Sequence, residues 1–513
     1  MSVVLVNPFT PAGLPPAVAP FAQPELAVAH WRERGNDPAQ LQLLVAQCDA
    51  LLAARPSPRQ LQAWIDTLWP IALGTAEAAA ARYVRKPLPL ADQELQLFRL
   101  SRRLWLGLAL LCRQLAESSP EQAPLALQRA GNALRLAVYA HVQAGHAVPS
   151  ALDEHLFALL AVAHAGGGLA LAMTDPLLPT LGAASVGGYL AWAFLWRLVE
   201  PQRFSVLQLN VLERVFARWR ELAKWQDGRG NDPKARALDL SRFSGRPEGV
   251  GGVPHWLDVR SIARKLRQRS DGLRAGETPE TLKLGRELSA AACLRLLREV
   301  ELALAGIRPA GSGLEGEVAL VFGAEHIYAL LSDQYLNPQK VSLEASRLAH
   351  QRLGVFGFDR VSQLSHAVSR LEVPGELWQA RDPYLVRLPG QTPVRHMAAT
   401  LVACRVAGQL RLGCLQGIEM CDDGSLQASL HWFSGQPRAG VLARQPQDAR
   451  APRLAAFLLD DVESRQLILP AAYSLRPGQP VVFEGVPPQS FLPSETLERG
   501  HDFVRYGLRP DAG

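Results

Sequence analysis

The feature that most constrains the fold is a change of periodicity that begins after Pro309. Before it, apolar residues recur at steps of three and four over long stretches such as Leu90 to Leu115, which is the spacing of one buried helix face. From Glu376 onward, short apolar runs are separated by turn residues such as Asp422-Asp423-Gly424, as in antiparallel strands. The sequence therefore predicts an α+β multidomain protein, with an α-helical N-terminal array followed by a small antiparallel β-barrel.

Helix start signals support the first half of this prediction. Asn36-Asp37-Pro38 and Ser57-Pro58 each place a capping side chain directly before a proline, the residue that suits the first turn of a helix. Further helices are expected at about 122–144, 150–173, 184–199 and 206–225. The short connections between them favour a stacked helical array.

Shifts in composition divide the chain into six segments. A Gly-, Pro-, Asp- and Arg-rich stretch follows the first helices, and the strand signals become dense only near the end. The predicted segments are an extended Pro-rich arm (1–25), an α-helical domain (26–227), a linker or long loop (228–256), a second mostly helical region with a short strand near 317–322 (257–370), a β-barrel (371–486) and a C-terminal tail (487–513).

Composition indicates a folded protein of a reducing compartment. Apolar residues make up 48% and charged residues 20% of the 513 residues, as in globular domains. The six cysteines are scattered without a Cys-x-x-Cys pair, which favours free buried thiols. The first residues have no basic region of the kind that opens a signal peptide. We therefore expect a cytoplasmic protein.

Two neighbouring stretches raise the question of a membrane. His155 to Thr174 and Pro176 to Trp196 each approach the length of one bilayer span without a charged residue. Alanine and glycine fill much of both stretches, so buried helices of a soluble core are the better interpretation. Gly166-Gly167-Gly168 would then mark a kink or a close helix contact. No stable membrane insertion is expected.

Positive charge is concentrated in the middle of the chain. Residues 214–286 contain 17 basic and 9 acidic side chains, and Arg260, Arg264 and Arg267 fall on one face of a predicted helix. This face has two interpretations: an anion-binding surface, or a solvated face with local ion pairs, which we favour. Aromatic residues are not interleaved with the basic ones, so nucleic acid is not an expected partner.

Motifs for catalysis and metal binding are missing from the sequence. There is no Gly-Lys-Ser/Thr for a P-loop, no Gly-x-Ser-x-Gly, and no pair of histidines three or four residues apart. Gly311-Ser-Gly-Leu-Glu-Gly316 spells a dinucleotide fingerprint, but it precedes a predicted strand instead of opening a helix. We interpret it as a loop. A non-enzymatic protein with no metal and no tightly held cofactor is expected.

The C-terminal part resembles a divergent PilZ-type barrel. The resemblance rests on Trp378-Gln-Ala-Arg-Asp382, Ala398–Val406, Leu410-Arg-Leu-Gly413, and His431-Trp-Phe-Ser-Gly435 ahead of Ala439-Gly440-Val441. Typical members of that family bind cyclic di-GMP through an Arg-x-x-x-Arg motif before the barrel and an Asp/Asn-x-Ser-x-x-Gly motif on its first strands. Here Tyr384 replaces the serine and Arg387 the glycine.

The resemblance implies four ligand-binding residues and a signalling role. The residues are Arg360, Arg370, Arg381 and Asp382. The resulting hypothesis is a non-enzymatic bacterial signalling or adaptor protein, a cyclic di-GMP effector with a degenerate ligand motif, whose helical region binds a partner protein. The alternative is a helical scaffold or chaperone-like protein that binds other proteins and no small molecule.

Overall fold

A computed structural model describes residues 20–229, 237–244, 253–307, 311–337, 373–390, 394–443, 453–461, 465–476, 479–484 and 488–510. The chain divides into two compact units, Met1–Arg308 and Pro309–Gly513. The first unit is helical and the second is formed mainly by β-strands. This order confirms the predicted α+β fold class.

Ten α-helices make up most of the described part of the first unit. The helices are α1 (Pro24–Arg34), α2 (Leu41–Ala54), α3 (Pro58–Tyr83), α4 (Asp92–Ser118), α5 (Ala123–Ala144), α6 (Ser150–Ala165), α7 (Val186–Leu198), α8 (Val206–Trp219), α9 (Arg260–Arg274) and α10 (Ala290–Leu304). Ser57 caps α3 together with Gln60, and Ser205 caps α8 with Gln208. The C-terminal half of α4 is buried almost continuously, and α5 is buried on nearly every side.

Burial of α5 requires that its polar side chains find partners inside the unit. Arg129 Nη1 lies 2.7 Å from Asp66 Oδ1, and its Nη2 lies 2.8 Å from Asp175 Oδ1. Nearly two turns further along, Arg135 Nη1 lies 2.6 Å from Glu213 Oε1. Its guanidinium also lies 3.9 Å from the ring centre of Trp192. Such pairs compensate the cost of removing each charge from water.

Helix α6 ends earlier than predicted. The sequence suggested a helix to residue 173, but α6 stops at Ala165, where Gly167 adopts a φ of +66°. Glycine takes this conformation without strain, so the Gly166–Gly168 run ends the helix instead of kinking it. A hairpin of β1 (Met173–Thr174) and β2 (Ala183–Ala184) follows.

The two charge-free stretches are therefore interrupted by turns and a hairpin. Among the described residues, none of the helices has the length and apolar character needed to span a bilayer.

The segment predicted as a linker contributes to a small sheet. Strands β3 (Lys224–Gln226), β4 (Ala237–Asp239) and β5 (Trp256–Asp258) form an antiparallel sheet in the order β3-β5-β4. Leu257 of the central strand is fully buried. Each strand is only three residues long, too short for an alternating pattern to be recognised in the sequence.

The second unit contains two closed six-stranded barrels. The first barrel has the order β10-β11-β8-β7-β6-β9 and the second the order β12-β13-β14-β17-β16-β15. The strands are β6 (Glu317–Phe322), β7 (Glu376–Arg381), β8 (Tyr384–Arg387), β9 (Leu401–Val406), β10 (Gln409–Met420), β11 (Leu426–Trp432), β12 (Gln436–Ala443), β13 (Leu454–Asp460), β14 (Arg465–Pro470), β15 (Val481–Glu484), β16 (Gln489–Arg499) and β17 (Phe503–Pro510).

The strands are grouped differently from the single barrel expected over 371–486. The strand near 317–322 is β6 of the first barrel, and not part of a helical region. The expected tail supplies β16 and β17 of the second barrel. Strand β16 was missed because it contains Pro493, mixes exposed polar with buried apolar residues and carries two register shifts, so it lacks regular alternation.

One hydrophobic cluster joins the two barrels. Val321, Leu412 and Cys414 of the first barrel pack in the same cluster as Phe457 and Phe503 of the second. Helix α11 (Ala324–Ser332) adds Ile327 and Tyr328 to it. The two barrels therefore bury a common core and form a single compact unit.

Candidate functional site

One end of the first barrel brings together the residues that carry the site. The hairpin between β7 and β8 turns there, with Arg381 opposite Tyr384. Gly413 of β10 lies opposite Trp432 at the end of β11. The backbone N–H of Ala380 donates to the carbonyl of Gly316 at 2.8 Å. The β7–β8 hairpin, the segment that precedes β6 and the β10–β11 pair therefore meet at the same end of the first barrel.

The glycine segment Gly311–Gly316 passes between the hairpin and the β10–β11 pair. Ser312 is buried, and its carbonyl accepts a hydrogen bond of 2.8 Å from Trp432 Nε1. Gly311 approaches the hairpin so closely that a Cβ there would lie 2.0 Å from Asp382 Oδ1. Gly313 has a φ of +63°. Glycine suits the left-handed backbone at Gly313, and a side chain at Gly311 would require the Asp382 carboxylate to move.

The interpretation of this segment as a loop is confirmed. It leads directly into strand β6, which begins at Glu317. It has no helix N-terminus behind it, so it lacks the arrangement by which a dinucleotide fingerprint holds a pyrophosphate.

A pocket of about 310 Å³ lies beside the glycine segment. Its lining comes from the start of β10 and from the connection between β11 and β12: Gln409, Leu410, Arg411, Trp432, Phe433, Ser434, Gly435 and Gln436. This volume is at the lower end of the range of about 300–1,000 Å³ for ligand sites. The lining combines one guanidinium with several neutral hydrogen-bonding groups, which suits a polar, anionic ligand.

Arg411 is the charged residue of this pocket. Its Nη1 lies 3.9 Å from the point where a Cβ on Gly313 would stand, so its side chain extends toward the glycine segment. It is half-buried, and within the described ranges it forms no ion pair with a carboxylate. A guanidinium in this state can bind a phosphate or the edge of a guanine through two parallel hydrogen bonds.

Phe433 of the pocket lining packs against strand β17 of the second barrel. Phe433 is buried, with its ring centre 5.7 Å from that of Phe503. The guanidinium of Arg505 lies 4.6 Å from the Phe433 ring, and its Nη2 lies 2.8 Å from Glu498 Oε2.

Burial raises the pKa of the neighbouring Cys414 thiol. The thiol is therefore a packing group and not a nucleophile.

Two of the four sequence-predicted ligand residues lie at this end of the barrel. Arg381 and Asp382 are exposed at the tip of the β7–β8 hairpin. The charge of Arg381 also acts on Asp423 in the β10–β11 turn. The pKa of Asp423 is lowered mainly by hydrogen bonds from Ser425 and to a smaller extent by Arg381. The other two predicted residues, Arg360 and Arg370, lie outside the described residues.

Sequence reasoning did not select Arg411 and Trp432, which lie on strands used only to support the resemblance. A signal for them was available. Arginine in Leu410-Arg-Leu-Gly413 and tryptophan in His431-Trp-Phe-Ser-Gly435 both sit at strand ends next to turn residues, where binding residues concentrate. Their proximity depends on β10 pairing with β11, which local patterns do not reveal.

A second polar cluster in the first barrel is structural in character. Glu376 accepts hydrogen bonds of 2.9 Å from Arg387 Nη1 and lies 2.9 Å from His396 Nε2. Arg387 and His396 are both buried, and the His396 ring packs on Phe322 with centroids 4.1 Å apart. The described part of the chain contains no group of three or more histidine, cysteine or acidic residues placed to hold a metal ion.

Fold and site together define a two-unit protein, with helices first and a pair of barrels with a polar pocket second. Residues 28–230 match the family model described as "Cyclic-di-GMP receptor FimW, N-terminal domain". The match lies within the helical unit, covers less than half of the chain and ends before the barrels. No curated protein and no solved structure shows significant similarity to the chain.

Proposed function

We propose that this chain is a non-enzymatic bacterial signalling protein that binds cyclic di-GMP. The match of residues 28–230 to the N-terminal domain of a cyclic di-GMP receptor family is the observation that carries the proposal. The closed six-stranded barrels support the PilZ-like resemblance that the sequence suggested.

The ligand site that we propose is the pocket at Arg411. In the PilZ resemblance, the arginines that grip the ligand precede the barrel. Arg411 lies within the first barrel, which carries most of the residues of the resemblance, so the pocket would bind the ligand at a position that differs from the family's motif. Arg411 would bind a phosphate or a guanine edge, and Gln409, Ser434 and Gln436 would supply neutral hydrogen bonds. Arg381 and Asp382 of the β7–β8 hairpin would complete the site from its rim. Arg360 and Arg370 stay ligand candidates from the resemblance alone.

Calorimetric titration of the full chain with cyclic di-GMP tests this proposal. We expect binding by the wild-type protein and affinity about tenfold weaker in Arg411→Ala, because one charge-assisted contact is lost. Arg411→Lys should recover part of the affinity. Arg381→Ala tests the rim, and Arg360→Ala tests the arginine that the resemblance alone suggests. The control is Arg476→Ala, an exposed arginine of the second unit that does not line the pocket.

Three outcomes are informative about the alternatives. Equal affinity in the wild type and in Arg411→Ala would place the ligand elsewhere. Full affinity in Arg411→Ala with loss in Arg381→Ala would favour the hairpin tip. Absence of binding by the wild type would contradict the receptor role and favour the scaffold protein without a small-molecule ligand. A thermal melt of each variant separates loss of a contact from loss of the fold.

A further inference from the structure

Helices α9 and α10 present a continuous basic surface outside the region that matches the receptor family. On α9, exposed arginines follow the helical spacing 264, 267, 274. On α10, the exposed positions 295, 298 and 302 follow the same spacing. We call the surface formed by these residues the basic face: Arg264, Arg267, Arg274, Arg295, Arg298 and Leu302.

The basic face is a single surface because the two helices are packed together. Ile262 and Leu266 of α9 are fully buried, as are Leu296 and Val300 of α10. Between the exposed stripes, Arg267 Nε lies 3.3 Å from Glu301 Oε1. This ion pair links the middle of α9 to the last turns of α10, so arginines from both helices stand side by side.

Charge on this face is balanced only in part: Arg267 pairs with Glu301, and Arg274 Nη1 lies 2.8 Å from Asp271 Oδ1, as the favoured interpretation of local ion pairs predicted. Helix α9 carries six basic residues and only one acidic residue, Asp271. Arg264 and Arg298 form no ion pair with any residue in the described ranges. Like charges at steps of three and four along a helix repel each other. Arg260, the basic residue in the first turn of α9, is paired with Asp258 at 2.8 Å. In the part of the chain that the structure describes, the unpaired positive charge of the face is therefore carried by arginines such as Arg264 and Arg298.

The basic face also carries exposed apolar groups. Leu302 is 39% exposed, and Ile307, just beyond the end of α10, is 56% exposed. Neither helix contains an aromatic residue, so the face lacks groups on which nucleic-acid bases could stack. Arginines beside exposed aliphatic side chains match a ligand that presents carboxylates and leucine-like residues together.

We propose that the basic face docks an acidic amphipathic segment of a partner protein. The inference rests on the proposed effector role, because a receptor without catalytic activity needs a partner to transmit its signal. Arginine forks would pair with Glu or Asp side chains of the segment, while Leu302 and Ile307 would contact its apolar side.

The test uses the full chain and a fluorescently labelled synthetic peptide with glutamate on one helical face and leucine on the other. Fluorescence anisotropy should show salt-sensitive binding. Affinity should fall about tenfold or more in Arg264→Glu/Arg298→Glu. It should fall less in Leu302→Ala. The charge-matched control is Arg59→Glu/Arg82→Glu, two exposed arginines of α3, and this control should bind like the wild type.

Each other outcome overturns the inference. Equal peptide binding by the double variant and the control would show a non-specific charge effect. Tight binding of duplex DNA or of anionic phospholipid vesicles in place of the peptide would assign the face to another class of partner. A change of oligomeric state in the double variant, measured by sedimentation, would assign it to a second copy of the chain.

Cyclic di-GMP titration of the same variants keeps this inference distinct from the proposed function. Arg264→Glu/Arg298→Glu should retain the affinity of the wild type for the nucleotide, because the pocket lies in the other unit.

Discussion

At the scale of single residues, a cluster of charged side chains stabilises the first barrel. Glu376 lies between Arg387 and His396 inside the first barrel. Burial raises the pKa of the Glu376 carboxyl, but the hydrogen bonds and charges of His396 and Arg387 outweigh this effect. Its pKa is held below the ordinary value of 4.5. Because the folded state favours the charged carboxylate, the cluster stabilises the fold above about pH 4.5 and loses this contribution as pH falls.

Replacing Glu376 by glutamine should therefore destabilise the protein in a pH-dependent way. We expect Glu376→Gln to lower the free energy of unfolding by about 3 kcal/mol at neutral pH, since it leaves Arg387 buried without a counter-charge. The difference from the wild type should shrink as pH is lowered through 4.5 and below. Urea denaturation at a series of pH values measures it.

The exposed Glu495→Gln in the second barrel serves as the control, and its effect should be small at every pH. A difference between Glu376→Gln and the wild type that stays constant with pH would contradict the assignment.

At the scale of elements, the pairing of β10 with β11 decides the shape of the pocket. Gly413 lies opposite Trp432, and a Cβ on Gly413 would stand 2.3 Å from the carbonyl oxygen of His431 and 3.0 Å from Trp432 Cα. Both atoms belong to the backbone, so neither can rotate away. The two strands approach each other this closely only because glycine occupies the position.

Gly413→Ala should push these strands apart. The expected cost is about 1–3 kcal/mol of unfolding free energy. It should come with weaker cyclic di-GMP binding, because Arg411 and Trp432 lie on the displaced strands. Thermal and urea denaturation measure the first effect, and calorimetry measures the second. Gly168→Ala, where a Cβ would meet open space, controls for the loss of glycine itself. A Gly413→Ala protein as stable as the wild type would contradict the close approach.

Elements with strong local patterns were predictable and those that depend on partners were not. Helices such as α4 and α5 follow from apolar spacing and end signals. The end of α6 was misplaced because Gly166–Gly168 was interpreted as a kink. Strand β16 was missed because its register shifts break the alternation. The candidate site was predicted only in part: the hairpin residues Arg381 and Asp382 came from the resemblance, but Arg411 depends on long-range pairing.

At the scale of the whole molecule, the chain combines a helical unit with a unit of two barrels that bury a common core. The matched receptor family covers helices of the first unit, whereas the pocket that we propose for the nucleotide lies in the second. This division allows the nucleotide and the partner protein to be bound by different parts of the chain. The position of the bound nucleotide decides which unit is the sensor, and locating it is therefore the most direct test of the proposed site.

Amide hydrogen exchange of the full chain with and without cyclic di-GMP makes that measurement. The proposed site predicts slower exchange on ligand addition at residues 311–316, 409–411 and 432–436, with weaker protection of the same peptides in Arg411→Ala at a nucleotide concentration near the wild-type Kd. Protection confined to residues 28–230, or none in the second unit under conditions where calorimetry shows binding, would contradict it.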